Sequence, residues 1–525
     1  MCGRGRPHDS RSGDRRYSFT RRGSATAVRG CYDGRANLLS FFCGAGTMTS
    51  SRRSFLKATS AAAAAWAVAK PVTVWADAPG SVDVWATFRD LRHEKGAALE
   101  WKPVREVAAD AIVIDPAEAR QEMLGFGAAL TDASCWVLSQ MPAAEQQALI
   151  EELFAPGEMA LNVCRTAIGS SDYSRTVYSF DESAEPDPEL KKFSIDHDRA
   201  YILPVLSAAR RINPGLFLFS SPWSPPGWMK SNGSMLGGAM RKHNFAPYAQ
   251  YFARFLAEYK AAGVPIDAIT VQNELDTEQD GLMPACLWGQ EYEIEFVKSH
   301  LGPLFQKEGV ATKIWIIDHN YNLWGRAIDE LSDAGMSDFV DGVAWHGYVG
   351  EPSAMTRVHE AFPRKNTYWT EGGPELTSPD YQTDWARWAE TFNGIANNWA
   401  RSITAWNIAL DEQGKPNVGP FSCGGLVTVE NATHKVTRSG QYWAFAHLSR
   451  HVARGARVIA ANGVGDTTAQ GASGGVSIAA FRNPGGGMVA VLSNRGPEKR
   501  TQLLLGSNAL EIDLEADSVH TLEWR

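Results

Sequence analysis

The sequence predicts an α/β protein, a (β/α)8 TIM barrel with an attached antiparallel β-sandwich domain. Three observations carry this expectation. Between residues 119 and 452, short apolar runs of strand length alternate with longer segments of helical period. Such alternation implies a parallel sheet with right-handed crossovers. From about residue 453 the runs become short and β-like and are punctuated by Gly, Pro and Asn, as in a sandwich. Within the barrel region, polar side chains gather where the apolar runs end, which is where a barrel of this kind keeps its active site.

The chain begins differently. Residues 1–47 are rich in Arg, Gly and Ser without hydrophobic period and read as disordered, or as an upstream extension ahead of Met48. Residues 48–78 read as a twin-arginine signal peptide: "SRRSFLK" from Ser51, an Ala-rich apolar run from Ala58 to Ala69 too short to span a bilayer, and small residues at Ala76 and Ala78. The expected location is therefore periplasmic or secreted. Residues 79–118 hold two further strand patterns, "VDVWATF" and "AIVIDP". Two isolated strands would not be stable alone, so they are expected to complete the C-terminal sandwich of residues 453–525. The whole chain has 525 residues, 44% of them hydrophobic, 21% charged, and a net charge of −8. This is ordinary globular composition, with no basic patch for nucleic acid and no later run long enough to cross a membrane. Of the seven cysteines, Cys135, Cys164, Cys286 and Cys423 follow the leader. None has metal spacing, and no essential disulfide is expected.

The eight barrel strands are expected in "EMLGFGAAL", "LNVCRTAIG", "LFLFSSPW", "AITVQNE", "IWIIDHN", "VDGVAWHGY", "NTYWTEGG" and "ITAWNIAL". Helical period follows in "AAEQQALIEELFA", "DRAYILPVLSAARR", "FAPYAQYFARFLAEYKAAG", "GQEYEIEFVKSHLGPLFQ", "TDWARWAETFNGIANNWA" and "SGQYWAFAHLSRHVA". In order, the strand ends present Thr131 and Asp132; Arg165 and Asp172; Trp223 and Trp228; Asn273 and Glu274; Asp318, His319 and Asn320; His346 and Tyr348; Glu371; and Trp406 and Asn407. One polar strand end is banal. Eight in a row would form a bowl of carboxylates, amides and indoles, suited to bonding sugar hydroxyls and stacking on the C–H face of a sugar ring. Glu274 and Glu371, on the fourth and seventh strands, would face each other across the mouth. Glycoside hydrolysis needs two carboxyl groups flanking the scissile bond.

These residues resemble glycoside hydrolase family 30, the family of glucosylceramidase and related bacterial enzymes. The resemblance rests on "GFGAALTDA", "RTAIGSSDYS" followed by "YSFDE", "FSIDHDR", "SSPWSPPGWMKSNG", "TVQNE", "GVAWHGY", "TEGG" and "AWNIAL", in the family's order. It implies a retaining β-glycosidase with a covalent glycosyl-enzyme intermediate, Glu274 as acid/base and Glu371 as nucleophile. It also implies that Arg165, Asp172, Trp223, Asn273, His346, Tyr348 and Trp406 line the sugar subsite, and that no cofactor or metal is used. Arg165 and Tyr348 are expected to hold Glu371 ionised, and the charge of Glu371 to raise the pKa of Glu274. The retaining separation of the two carboxyl groups is about 5–5.5 Å.

The sequence departs from the family at Leu275, where Pro often follows the acid/base, and at Gly347, where glucosylceramidase has Trp. Both leave the chemistry intact and blur the aglycone. A β-linked glucoside or glucan is the expected partner, a glycolipid among the options, with an exo-acting, glucosylceramidase-type enzyme ranked first. An endo-β-1,6-glucanase or a β-xylosidase is the alternative, and a non-catalytic carbohydrate-binding protein a remote one. A metal hydrolase would need ligands such as Asp132, Asp318, His319 and His346, but neither paired His on one strand nor a carboxylate–His cluster, the usual marks of such sites, is found in the sequence.

Overall fold

The structure is a computed structural model that describes residues 80–463 and 475–525. The extension and the twin-arginine segment expected over residues 1–78 lie outside the described residues.

Eight parallel strands form the barrel: β1 (Gly125–Ala128), β2 (Val163–Ala167), β3 (Phe217–Ser221), β4 (Ala268–Thr270), β5 (Lys313–Asn320), β6 (Val340–His346), β7 (Asn366–Glu371) and β8 (Ala400–Ala405). They are hydrogen-bonded in chain order from β2 to β8, and β8 pairs with β1. The ring closes between β1 and β2 through a parallel bridge from Ala129 to Arg165, with the Leu130 N–H donating to the Arg165 carbonyl at 2.8 Å. Strands buried on both faces read as nearly continuous apolar runs, which is why they stand out in the sequence. Inside the ring, Val163, Phe219, Ala268, Trp315, Ala344 and Tyr368 form a plug, with Trp315 and Tyr368 stacked at 3.8 Å. The site lies above this plug.

The expected helices pack around the ring. Helix Phe245–Ala261 shows why they form: Tyr248, Tyr251, Phe252, Phe255, Leu256 and Tyr259 recur at three- and four-residue spacing, and all are buried. The segment expected as one helix from Gly289 is instead Gln290–Phe296, a π-helical turn Val297–Leu301, and Gly302–Glu308. Pro303 lacks an N–H for the α-helical ladder, and the chain absorbs the defect in a π turn. Helices Asp132–Ser139, Trp324–Ser332 and Ser353–Ala361 complete the ring.

The second layer is a ten-stranded sheet in which Asp83–Phe88 pairs with Ser518–Trp524 and Ile112–Glu122 pairs with Arg457–Gly463. Strand Ile112–Glu122 runs past residue 118, where the sequence placed a division, because Ala119 and Glu122 still pair with Ile459 and Arg457. Its own core includes Trp101, Ile114, Leu492, Leu522 and Trp524. It is tied to the barrel by helix Trp385–Asn397, whose Asn393 and Asn397 amides donate to the Val491 and Ile478 carbonyls at 3.1 and 2.8 Å. A three-stranded sheet, Ala409–Asp411, Val427–Val429 and Val436–Arg438, follows β8 and was not expected. It brings the 412–426 loop back over the barrel mouth. Among the described residues, no helix is long and apolar enough to cross a membrane.

Candidate active site

The centre of the site is a buried carboxylate, Asp318. Its Oδ2 accepts from Arg165 Nη2, Ser221 Oγ and Thr270 Oγ1, each at 2.7 Å. Its Oδ1 accepts from Thr370 Oγ1 at 2.7 Å and lies 3.2 Å from His346 Nε2. Burial alone would raise its pKa, but Arg165 and His346 outweigh burial and hold it well below the usual carboxylate range. Asp318 belongs to a bulge. The register between β5 and β6 steps from Ile317–Ala344 to His319–Trp345, so Asp318 has no partner of its own. Ile317 and Asp318 both take positive φ, 73° and 47°, which is strained for a β-branched residue. The free Ile317 N–H is met by Glu293 Oε1 at 3.2 Å. In turn the Asp318 carbonyl accepts the Glu274 N–H at 3.1 Å, where Glu274 itself has φ 51°.

Glu274 and Glu371 flank His346. Glu274 Oε1 is 3.3 Å from Nδ1, and Glu371 Oε2 is 3.7 Å from Nε2. Glu371 is also bound by the Arg165 guanidinium and by the Tyr348 hydroxyl, which donates at 3.0 Å. Burial pulls the His346 pKa down, but Glu371, Asp318 and Glu274 push it up to about 9. Glu274 contradicts the sequence expectation of a raised pKa. Burial pushes it up, yet the hydrogen bond and charge of His346, the nearby His319, and Gln279 Nε2 donating at 2.9 Å outweigh that effect and hold the carboxyl below its ordinary value. The sequence expectation rests on the charge of Glu371 alone; in the fold two imidazoles stand 3.3 and 3.6 Å from Glu274 Oε1.

A cavity of about 700 Å³ opens over the two carboxylates. Of the site residues expected from the sequence, Asp172, Trp223, Asn273, Glu274, Tyr348, Glu371 and Trp406 are brought together in its lining. Trp223 and Trp406 stack on each other at 5.1 Å and 21°. Asp172 is buried and its Oδ1 has no hydrogen-bond partner among the described residues. Burial, then the charges of Glu371 and Glu274, raise its pKa well above the ordinary value. It is a polar group at the cavity wall still waiting for one. Arg165 and His346 depart from expectation: both are fully buried and neither lines the cavity. Arg165 lies under Trp223, 4.6 Å from its ring, and spends its donors on Glu371, Asp318, Asn273 and Ser221. They hold the carboxylates from behind the wall instead of touching what enters. Asp132, a rival metal ligand in the sequence, sits apart, bonded to His197, Tyr201 and the Arg175 N–H.

Comparison with known proteins gives this arrangement a family. Residues 123–452 match the glycosyl hydrolase family 30 TIM-barrel domain, and residues 455–522 match the family 30 beta sandwich domain. The chain belongs to glycosyl hydrolase family 30. It is a glycoside hydrolase. An endo-1,6-beta-D-glucanase of Neurospora crassa is 35% identical over 393 residues, 72% of this chain and 80% of that protein. The lysosomal acid glucosylceramidase of Mus musculus is 25% identical over 438 residues, 79% of this chain and 83% of that protein. Among solved structures, SrfJ of Salmonella typhimurium has a TM-score of 0.79 at 25% identity, covering 85% of this chain and 99% of its own. An endo-beta1,6-glucanase has a TM-score of 0.75 at 29% identity, with the same coverage of both chains.

Two features of this hydrolase were visible in the sequence only as departures or as bare strand ends. A Cβ at Gly347 would lie 2.8 Å from the Trp369 ring, so Trp369 fills the space a side chain there would need. Asp318 and His319 were visible as a polar strand end, but their roles as hub and as neighbour of Glu274 depend on the β5 bulge. The carboxylate–His cluster that the sequence did not show is present after all: Glu274, His319 and His346, from three different strand ends, bring three potential metal-ligand atoms within 4.8 Å of one another. The four cysteines of the described residues are free thiols, Cys164 in the barrel core.

Proposed function

We propose that this hydrolase cleaves β-linked glucose from β-1,6-glucan by a retaining, double-displacement mechanism. Glu371 attacks the anomeric carbon and Glu274 protonates the departing oxygen. The observation that carries this reading is the placement of the two carboxylates on either side of His346, at the floor of one cavity, with Arg165 and Tyr348 fixing Glu371. Glu371 then forms the glycosyl ester, and Glu274, now a base, draws a proton from water to release the sugar. Glu274 and His346 act as a coupled pair that holds one proton between them. In the empty site the proton rests on the imidazole. Transfer to Glu274 accompanies cleavage, when negative charge on Glu371 is consumed.

The cavity supports a glucosyl unit in the inner subsite. Trp223 and Trp406 offer ring faces, and Asp172, whose Oδ1 is buried without a partner among the described residues, can hydrogen-bond a sugar hydroxyl. The 412–426 loop closes in behind it: the Val418 and Gly419 N–H groups donate to the Asp172 carbonyl at 2.7 and 3.2 Å. The β-1,6 linkage is favoured by the higher identity to β-1,6-glucanases than to the mouse glucosylceramidase. This reverses the order drawn from the sequence. A glycolipid aglycone remains the second reading because Leu282, Tyr348, Val349 and Phe421 form an exposed apolar rim at or beside the mouth. Hydrolysis of a β-1,6-glucan, gentiobiose, an aryl β-glucoside and glucosylceramide by the same preparation, beside Glu371→Gln, tests the proposal. Cleavage of the glucan, abolished by the substitution, is expected. Turnover of glucosylceramide alone would overturn the linkage assignment. We further propose export by the twin-arginine route, on the strength of Arg52 and Arg53 in "SRRSFLK" and the Ala-rich run that follows. Replacing both with Lys should trap activity in the cytoplasm, and unchanged export would refute it.

A further inference from the structure

We propose that Glu274, His319 and His346 form a binding site for a borderline divalent cation of the Zn2+ class, and that its occupation switches hydrolysis off. The binding half of this proposal stands on geometry alone. The inhibitory half rests on Glu274 being the acid/base.

Ligand atoms held about 2.0–2.2 Å from a tetrahedral zinc lie roughly 3.3–3.5 Å from one another. Glu274 Oε1 is 3.3 Å from His346 Nδ1 and 3.6 Å from His319 Nδ1. All three donors fall within 4.8 Å of one another, so the set needs only a small contraction to close on an ion. His₂Glu is moreover the donor set of zinc sites that keep an open position.

The outer contacts are those of a metal site as well. A metal-bound imidazole normally donates its far N–H to a carboxylate, which fixes ring and tautomer. Both imidazoles have such a partner: His346 Nε2 lies 3.2 Å from Asp318 Oδ1, and His319 Nε2 lies 2.6 Å from Asp276 Oδ1. The tautomer of His319 follows from its neighbour. Asn320 Oδ1 accepts the Tyr348 and Val349 N–H groups at 2.9 and 3.1 Å, which sets the amide orientation. Its Nδ2 therefore faces His319 Nδ1 at 3.3 Å, so that nitrogen carries a lone pair and the proton sits on the Asp276 side. At His319 a cation would replace only this long contact, and at His346 it would displace the proton held between Nδ1 and Glu274. Three further carboxylates, Asp276, Asp318 and Glu371, stand around the group, against the guanidinium of Arg165 and the more distant one of Arg326. Glu274 and His319 line the cavity, which supplies an entry path and room for water as the fourth ligand.

The test is titration of the full chain with ZnCl2 by calorimetry, and with CoCl2 by visible absorbance, at pH 8. One saturable site per chain and the intense d–d bands of tetrahedral cobalt are expected. Asp276→Asn should weaken Zn2+ by about 10–100-fold, the usual loss when an outer carboxylate is removed. His319→Gln should weaken it at least as much, and Asp276→Asn keeps the test alive should that variant fail to fold. Zn2+ should inhibit hydrolysis with the same midpoint as it binds, and EDTA should restore the rate. Absence of saturable binding up to 1 mM, or unchanged affinity in both variants, would overturn the site. Binding that Asp276→Asn weakens but that leaves hydrolysis untouched would support the site and overturn the role given to Glu274.

Discussion

Replacing Asp318 with Asn is the sharpest perturbation the structure offers, because it keeps the shape and removes the charge. Each oxygen of Asp318 is met only by donors: Arg165, Ser221 and Thr270 on one side, Thr370 and His346 on the other. An amide must turn its NH₂ toward one of these groups. The less costly choice is the second, since Thr370 can still donate to the Trp345 carbonyl at 3.2 Å and His346 can lose its proton and accept. Arg165 then stays buried with Glu371 as its only carboxylate. Breaking one partner of a buried pair costs about 3–5 kcal/mol. For domains of a few hundred residues each kcal/mol lowers Tm by roughly 2–4 °C, so a fall of about 6–20 °C is expected by calorimetry. The same step removes a principal reason for the raised pKa of His346, which should drop clearly from about 9 in ¹⁵N-imidazole NMR titration. The rate at neutral pH should fall with it. A Tm within 2 °C of the parent, with His346 still titrating near 9, would refute the claim that Asp318 organises the site.

Other expectations follow from the same contacts. The His346 pKa is raised from 6.5 to about 9 in the folded protein, so its contribution is fully present below pH 6.5 and lost as pH rises through 9. A rise from 6.5 to about 9 is worth about 3 kcal/mol. Urea unfolding of the parent should therefore weaken between pH 6 and 10 by that much more than in His346→Asn, and equal slopes would contradict it. Glu293→Ala leaves the Ile317 N–H of the β5 bulge unpaired, at about 1–3 kcal/mol, and should lower kcat more than it raises KM. A change confined to Tm would show that the bulge holds its shape unaided. Glu274→Gln should slow a glucoside with a poor leaving group by about 10²–10⁴ and an activated aryl glucoside far less, as steady-state rates on both will show.

Much of this was legible in the sequence. Barrel strands buried on both faces give apolar runs such as "IWIIDHN" and "LFLFSSPW", and their polar ends point to the cavity. The pair Glu274 and Glu371 could be found because each ends such a run. What was not legible depends on departures from regular geometry. The hub at Asp318 needs two successive residues at positive φ, and nothing in "IIDHN" favours that; a carboxylate from a distant helix, Glu293, satisfies the buried Ile317 N–H. Arg165 and His346 lie behind the cavity wall because both bond the bulged Asp318, and the lowered pKa of Glu274 comes from His346 and His319 beside it. Strand runs of three residues, as in Ala409–Asp411 and Val427–Val429, are too short to show a period, so the sheet that brings the 412–426 loop over the mouth left no trace.

The central claim, that Glu371 attacks the sugar while Glu274 supplies the proton, is tested most directly by following the anomer released from an aryl β-glucoside by ¹H NMR in the first minutes of hydrolysis. The expected first product is β-glucose, with a covalent glycosyl adduct located on Glu371 by mass spectrometry after reaction with a 2-fluoro-glucoside. Initial release of α-glucose, or an adduct on any other carboxylate, would contradict the account.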